Sequence, residues 1–398
     1  MDEIGQNLFD DRNLLHDLWL AYFDARKHKR NTLNAIRFEQ NLEHNMYELY
    51  REVSEYRYEL SPSICFIVDK PVKREIFAAH FRDRIIHHYI IMKLMPVFEN
   101  QFIYDSYSCR IGKGTLFGIK RLEHFMRNCT ENYTKEAYVM KLDLTGFFMS
   151  IKRSRLLAMV NKLVSSKYSG NDKEMLLYLV EKLIMNDPTK GCIIRGSRSD
   201  WVGLPPNKSL FYADEGCGIP IGNLTSQIFA NYYLTGFDRF VKETLKVRYY
   251  GRYVDDFFLV DRDVTLLKQS MEKMRWFLGK CLELKIHPKK LYVQPCSRGV
   301  RYLGVYVTPW GIFPSHRLRQ HFKDFLTQNA PSCAPVSVMD EKYQFQSAYN
   351  SYFGMWHHIH VYKDFLERTE MPHLSYLLCG AAPLSLRHPR ELKCAVDE

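Results

Sequence analysis

Residues 252–260 read Arg252, Tyr253, Val254, Asp255, Asp256, Phe257, Phe258, Leu259 and Val260: two adjacent carboxylates between two runs of strand-forming side chains. Valine, tyrosine and phenylalanine favour a pleated, half-buried surface and aspartate disfavours it, so the run predicts strand, tight acidic turn, strand. Two like charges at a hairpin tip repel each other. A divalent cation removes that repulsion, because Mg²⁺ takes carboxylate oxygens and keeps room for water and substrate phosphates. A solvated turn is the plainer alternative, since aspartate is common in turns.

A third carboxylate bears on the choice. Residues 137–144 predict a short strand ending at Asp143, and residues 146–151 predict the start of a helix. An aspartate in that place is a helix cap or a metal ligand. If the strands of Asp143 and Asp255 are neighbours in one sheet, the pair can hold two metal ions over an in-line phosphoryl transfer.

Tyr253, Val254, Asp255 and Asp256, with the upstream Leu142, Asp143, Leu144, Phe147, Phe148, Ser150 and Ile151, resemble a reverse transcriptase. The segment Gly218–Gln227 narrows the resemblance. Many bacterial reverse transcriptases, those of group II introns among them, have glutamine before the glycine at 222 and proline after the serine at 226. Here those positions are Ile221 and Gln227, a pattern similar to the reverse transcriptases of diversity-generating retroelements. Leu204–Phe211 fits the same group, and the resemblance runs from about residue 10 to about residue 365.

The resemblance implies an α+β right-hand polymerase with an antiparallel palm sheet. An N-terminal helical extension would cover 1–60, fingers 61–137, a palm 138–312 with a helical and loop insertion at about 152–216, and a helical thumb with a C-terminal tail 313–398. The implied activity is RNA-directed DNA synthesis by two-metal nucleotidyl transfer, error-prone at template adenines and serving mutagenic retrohoming. Asp143 and Asp255 would bridge two Mg²⁺ ions, with Mn²⁺ as a substitute. Asp256 would be a weaker or outer ligand, and the Leu144 carbonyl would complete one sphere.

Residues 63–68 and 74–79 predict two strands joined by a basic turn. Lys70 and Arg74 would grip the incoming triphosphate, for which arginine offers a planar fork. Phe148, five residues after Asp143, would be the steric gate under the sugar. Ile221, Gly222 and Gln227 would lie along the incoming nucleotide and the nascent pair. Glutamine at 221 could hydrogen-bond there and isoleucine cannot, which bears on fidelity. Lys290, with Lys289 adjacent, could protonate the leaving pyrophosphate. Arg110 and Lys113 belong to a loop resembling the one that holds the template strand. Tyr253 and Gly304 would also touch nucleic acid, Gly304 from a hairpin that supports the primer end.

Expected partners are template RNA, primer and cDNA, dNTPs, and a small basic oligomeric accessory protein. An accurate retron- or group II intron-like enzyme, a template-independent polymerase and a non-catalytic RNA-binding scaffold stay open as alternatives.

Composition agrees with a polyanion partner without choosing one: 56 basic against 45 acidic residues give a net charge of +11 in a chain of 398. The ten cysteines are scattered with no pair at zinc-ribbon spacing, and read as reduced thiols of a cytoplasmic protein. The N-terminus lacks an apolar signal core, and no run approaches the ~18 apolar residues of a membrane span. Helical spacing of Leu14, Leu15, Leu18 and Tyr22 predicts helices over 7 to about 57. Within them, Lys27–Arg30 is a solvated helix end or a phosphate contact. Gln344, Tyr349, Tyr352, Trp356 and His357 belong to an expected thumb helix, lying in a minor groove or packed on neighbouring helices.

Overall fold

The computed structural model describes residues 3–27, 29, 32–69, 72–329, 347, 350–352, 354, 358 and 359. The chain divides into two compact units, one of residues 1–114 and 138–293, the other of residues 115–137 and 294–398. Mixed helix and antiparallel sheet characterise both, as expected for the fold class.

The first unit begins with α1 (Glu3–Arg26), α2 (Leu33–Glu39) and α3 (Leu42–Ser54). Leu14, Leu18, Ala21, Tyr22 and Ala25 form one buried stripe on α1, the three-to-four-residue recurrence that makes a helix amphipathic. That stripe packs on α4 (Phe81–Glu99), a helix buried on most sides. Between α3 and α4 lie β1 (Ile64–Val68) and β2 (Arg74–Ala78), an antiparallel hairpin with Val68 opposite Arg74. Its predicted strands are present, and Lys70 in the turn lies outside the described residues.

In the second unit, α5 (Thr115–Cys129) buries Ile119, Leu122, Met126 and Cys129. The first unit resumes with β3 (Tyr138–Asp143), α6 (Phe147–Ser150), α7 (Arg153–Lys167), α8 (Lys173–Met185) and β4 (Ile193–Ile194). It continues through α9 (Leu224–Tyr233) and α10 (Thr235–Arg239) to β5 (Tyr249–Tyr253) and β6 (Asp256–Asp261). It runs on through α11 (Val264–Phe277) to residue 293. β7 (Tyr292–Pro295) joins a four-stranded sheet of order β5-β6-β3-β7. The antiparallel register sets Asp143 opposite Asp256 and Tyr253 opposite Asp256. β6 is buried from Phe257 to Val260, so this strand is covered on both faces and anchors the hairpin.

The second unit also holds β8 (Val300–Tyr302), β9 (Val305–Thr308), β10 (Gly311–Pro314) and α12 (His316–Asn329), the three strands forming an antiparallel meander. The β8–β9 turn has φ of 45° at Leu303 and 90° at Gly304. Two positive values match the twist of a tight hairpin, and glycine serves the second at no steric cost.

Residues 115–137 and residues 294–312 group in one compact unit with the C-terminal part of the chain. The 152–216 insertion sends β4 back to pair in parallel with β1, giving a second sheet of order β2-β1-β4. A two-residue strand carries too little hydrophobic pattern to be read from sequence. Of the expected thumb residues, Tyr352 packs against the rings of Phe322 and Phe325. Gln344, Tyr349, Trp356 and His357 lie outside the described residues. Among the described residues, no helix is long and apolar enough to cross a membrane.

Candidate active site

The acidic turn is a two-residue connection, Val254–Asp255, between paired Tyr253 and Asp256. Val254 has φ 55°, a left-handed conformation that a β-branched residue adopts only under constraint. The constraint is visible. Arg252, on the strand just before the turn, donates from Nη1 to the Val254 carbonyl at 2.8 Å. Its other donors reach Asp238 at 2.8 and 2.6 Å, Asn231 and Ser106. Both side chains of the Arg252–Asp238 pair are fully buried, and the Tyr250 hydroxyl donates to the same Asp238 carboxylate at 2.7 Å. Sequence reading missed this network. Its members come from two helices, a loop and a strand, and no local spacing announces them.

The three aspartates meet as the pairing predicts. Asp143 ends β3, Asp256 faces it across the sheet, and the Asp255 carbonyl accepts from the Leu144 amide at 3.2 Å. Residues 285–287 run alongside: His287 N donates to Asp143 O at 2.7 Å and Thr145 N to Lys285 O at 2.8 Å. Leu144 is therefore held from both sides. Asp143 does not cap the following helix, whose N-cap is Gly146. The cap alternative is thereby corrected.

Burial, with the charge of Asp143 added, pushes the Asp255 carboxyl up to about 6. Burial also pushes Asp256 up to about 7, against the opposing pull of Lys141. Lys141 Nζ lies 2.9 Å from Asp256 Oδ2, and Lys290 Nζ lies 2.9 Å from Asp143 Oδ2. Lys290, rather than Lys289, is thus the lysine brought to the carboxylates.

Among the described residues, no three acidic, histidine or cysteine side chains are grouped so as to hold a metal ion by themselves. The donor set nonetheless fits a hard divalent cation. Asp256 Oδ1 is buried without a hydrogen-bond partner, a costly state for a carboxylate oxygen unless a cation completes it. Mg²⁺ is held by one or two carboxylates plus substrate phosphates rather than by an all-protein cage.

On the nucleotide side, Arg74 is exposed at the start of β2, and its charge reaches Asp255 to oppose the carboxyl's upward shift. Phe148 is half-buried on α6 against Phe147. Ile221 O accepts from Phe77 N at 2.9 Å, and Asn223 Oδ1 accepts from Ala79 N at 3.0 Å, so the 221–223 loop is laced to β2. Gly222 sits at φ 127°, where a Cβ would lie 2.8 Å from Ile76 Cγ2. Only glycine tolerates that approach. Gln227 is exposed and accepts from Cys109 Sγ at 2.9 Å.

The nucleic-acid residues divide. The Arg110 side chain is 5% exposed, paired with Glu99 and donating to the carbonyls of Ile103 and Ser106. Its guanidinium is spent bracing the loop, which corrects the expectation that it contacts nucleic acid. Lys113 reaches the Tyr104 carbonyl and lies over the Tyr104 ring at 4.2 Å. Tyr253 is half-buried beside Asp256. Gly304 belongs to the second unit.

A family profile described as reverse transcriptase (RNA-dependent DNA polymerase) matches residues 68–307, more than half of the chain. Protein YkfC of Escherichia coli (strain K12) is 22% identical over 255 residues, covering 56% of this chain and 60% of that protein. Among solved structures, apo telomerase of Candida tropicalis truncated from its C-terminal domain aligns with a TM-score of 0.45 at 12% identity, over 67% of this chain and 59% of that one. Telomerase of Candida albicans in complex with a fragment of telomeric RNA gives 0.46 at 12% identity, over 79% and 60%. The chain spans about three fifths of the length of each of these relatives.

Proposed function

The chain belongs to the reverse transcriptase (RNA-dependent DNA polymerase) family, and from that premise we propose that it is the cDNA-synthesising polymerase of a diversity-generating retroelement, acting in the cytoplasm. The observation that carries the polymerase reading is the convergence of Asp143, Asp255 and Asp256 across one strand pair, on a turn that a buried arginine holds in a strained conformation. Such strain persists where the surroundings over-determine it, and it clusters at functional sites.

The reaction is attack of a primer 3′-hydroxyl on the α-phosphorus of a dNTP paired to template RNA. Asp143 and Asp255 would be the principal carboxylates holding the metal ions, with Asp256 as a weaker ligand and the Leu144 carbonyl as a further oxygen donor. Two Mg²⁺ ions bound there, with Mn²⁺ as substitute, would lower the pKa of the 3′-hydroxyl and offset the charge of the triphosphate. Arg74 grips the triphosphate, and Lys70 is assigned beside it. Lys290 is assigned to give a proton to the leaving pyrophosphate, a role supported by its contact with the Asp143 carboxylate. Phe148 excludes a 2′-hydroxyl. These residues act by positioning and charge stabilisation.

The retroelement reading rests on Ile221 and Gln227. Without a hydrogen-bonding side chain at 221, wrong pairs at template adenines are less strongly rejected. A small basic oligomeric accessory protein is assigned as a partner. The test is primer extension on a defined RNA template with all four dNTPs, followed by sequencing of the cDNA. Errors concentrated opposite adenine are expected. Uniformly rare errors would make this an accurate reverse transcriptase of the retron or group II intron kind.

A further inference from the structure

Glu75 is fully buried on β2, immediately after Arg74, and no cation pairs with it among the described residues. A buried carboxylate of that kind is costly unless several donors satisfy it. Three do, and all come from one segment. Trp201 Nε1 donates to Oε2 at 2.6 Å, Ser209 Oγ to Oε2 at 2.7 Å, and the Leu210 amide to Oε1 at 2.6 Å. Lys73 Nζ, on the same hairpin, donates to the Val202 carbonyl at 2.8 Å. The segment 192–213 is thereby strapped to the hairpin that carries Arg74.

Its other side meets the helix that carries Phe148. Gly146, the N-cap of α6, has φ 53°, and a Cβ there would lie 2.6 Å from the Asn207 carbonyl oxygen. The strap backbone therefore touches the α6 N-terminus where no other side chain would fit. Leu210 closes on Gly218 and joins Cys65, Phe77 and Met149 in one small apolar cluster, with Phe148 and Ile221 packed against it. The Phe148 carbonyl accepts from Ile219 N at 3.0 Å. One buried carboxylate thus links the β2 strand, the ring proposed to select the sugar and the loop of Ile221.

We infer that Glu75 is a positioning residue for sugar selection, and that the 192–213 strap it latches sets how far the Phe148 ring stands under the incoming nucleotide. The inference rests on the polymerase reading and on Phe148 as the gate. Glu75→Gln is the informative change. Whichever way the amide is turned, its NH₂ opposes an N–H that cannot accept, that of Trp201 or of Leu210.

The experiment measures kcat/KM for a dNTP and for the matching rNTP on a primed RNA template. The variants are wild type, Glu75→Gln, Trp201→Phe, Phe148→Ala and the double variant Glu75→Gln/Phe148→Ala. Thermal melting identifies the folded ones. The expected result is that sugar discrimination falls roughly tenfold in Glu75→Gln, the scale of one buried unsatisfied donor, and less in Trp201→Phe. In the Phe148→Ala background, Glu75→Gln should change discrimination no further, because no ring remains to be placed. Unchanged discrimination in a folded Glu75→Gln, or in Trp201→Phe should the former not fold, overturns the inference. So does an equal loss with the gate absent. A wild type that makes no DNA, or a Phe148→Ala protein that still rejects rNTPs, refutes the underlying reading instead.

Discussion

The acidic hairpin and the 192–222 segment lie in the same compact unit, and each is tied to a buried carboxylate, the first through an ion pair and the second through neutral donors. At the hairpin the forces are charges. A fully buried Arg252–Asp238 pair anchors the turn, and two carboxylates are pushed toward protonation by burial. Along 192–222 the holding forces are neutral donors gathered on the buried Glu75 carboxylate and close packing against glycines at 146, 218 and 222, each with a neighbour where a Cβ would collide. Removing one partner from a buried charge pair leaves an uncompensated ion, whereas a displaced loop relaxes. The hairpin should therefore fail abruptly when altered, and the segment should shift selectivity while the enzyme still works.

Arg252→Met exposes that contrast most strongly. It leaves Asp238 buried and unpaired, at a cost of about 3–5 kcal/mol in unfolding free energy. Adding Asp238→Leu and Tyr250→Phe should restore most of the stability. The turnover number should stay low, because nothing then holds the Val254 carbonyl. Denaturant melts and single-turnover incorporation separate the two effects, and a triple variant with wild-type turnover would remove Arg252 from the site's geometry. Phe148→Ala comes next. Discrimination against ribonucleotides should fall roughly a hundredfold with DNA synthesis retained, read as the ratio of kcat/KM values.

The carboxylates give a pH test. With the Asp255 and Asp256 carboxyl pKa values raised, the folded state holds more protons than the unfolded one between the ordinary carboxylate range and about 7. Stability of the metal-free protein should therefore fall as pH rises through that window. Asp256→Asn should melt higher than wild type at about pH 8 in EDTA, and the gap should close toward about pH 4, below the unfolded carboxyl's pKa. A gap that widens in acid contradicts the assigned shift. The smallest effect is expected from Ile221→Gln, which should lower misincorporation opposite adenine by about 1 kcal/mol, the net worth of a hydrogen bond. Sequenced cDNA with an unchanged error spectrum would detach Ile221 from fidelity.

Much of this was legible in sequence because it is local. Alternation around Asp255 and Asp256, a strand ending at Asp143 and the 64–78 hairpin each depend on neighbours a few residues apart. Lys290 came within reach through the resemblance, and the 2.9 Å contact with Asp143 separates it from Lys289. What was not legible depends on distant pairs. Arg252 meets Asp238 from a helix, Glu75 meets donors more than a hundred residues away, and β4 joins β1 across the same span. Arg110 illustrates the reverse error. A basic residue in a glycine-flanked loop reads as a nucleic-acid contact, yet Glu99, eleven residues earlier on α4, claims its guanidinium.

Asp143, Asp255 and Asp256 are proposed as the catalytic carboxylates of an RNA-directed DNA polymerase. Single-nucleotide incorporation opposite a primed RNA template, titrated with Mg²⁺ for wild type and for a folded Asp255→Asn, tests it most directly. Incorporation should depend on Mg²⁺ in the wild type and fall on the order of a thousandfold in the variant, the scale of removing a group that stabilises transition-state charge. Wild-type incorporation by Asp255→Asn at the same Mg²⁺ concentration would contradict it.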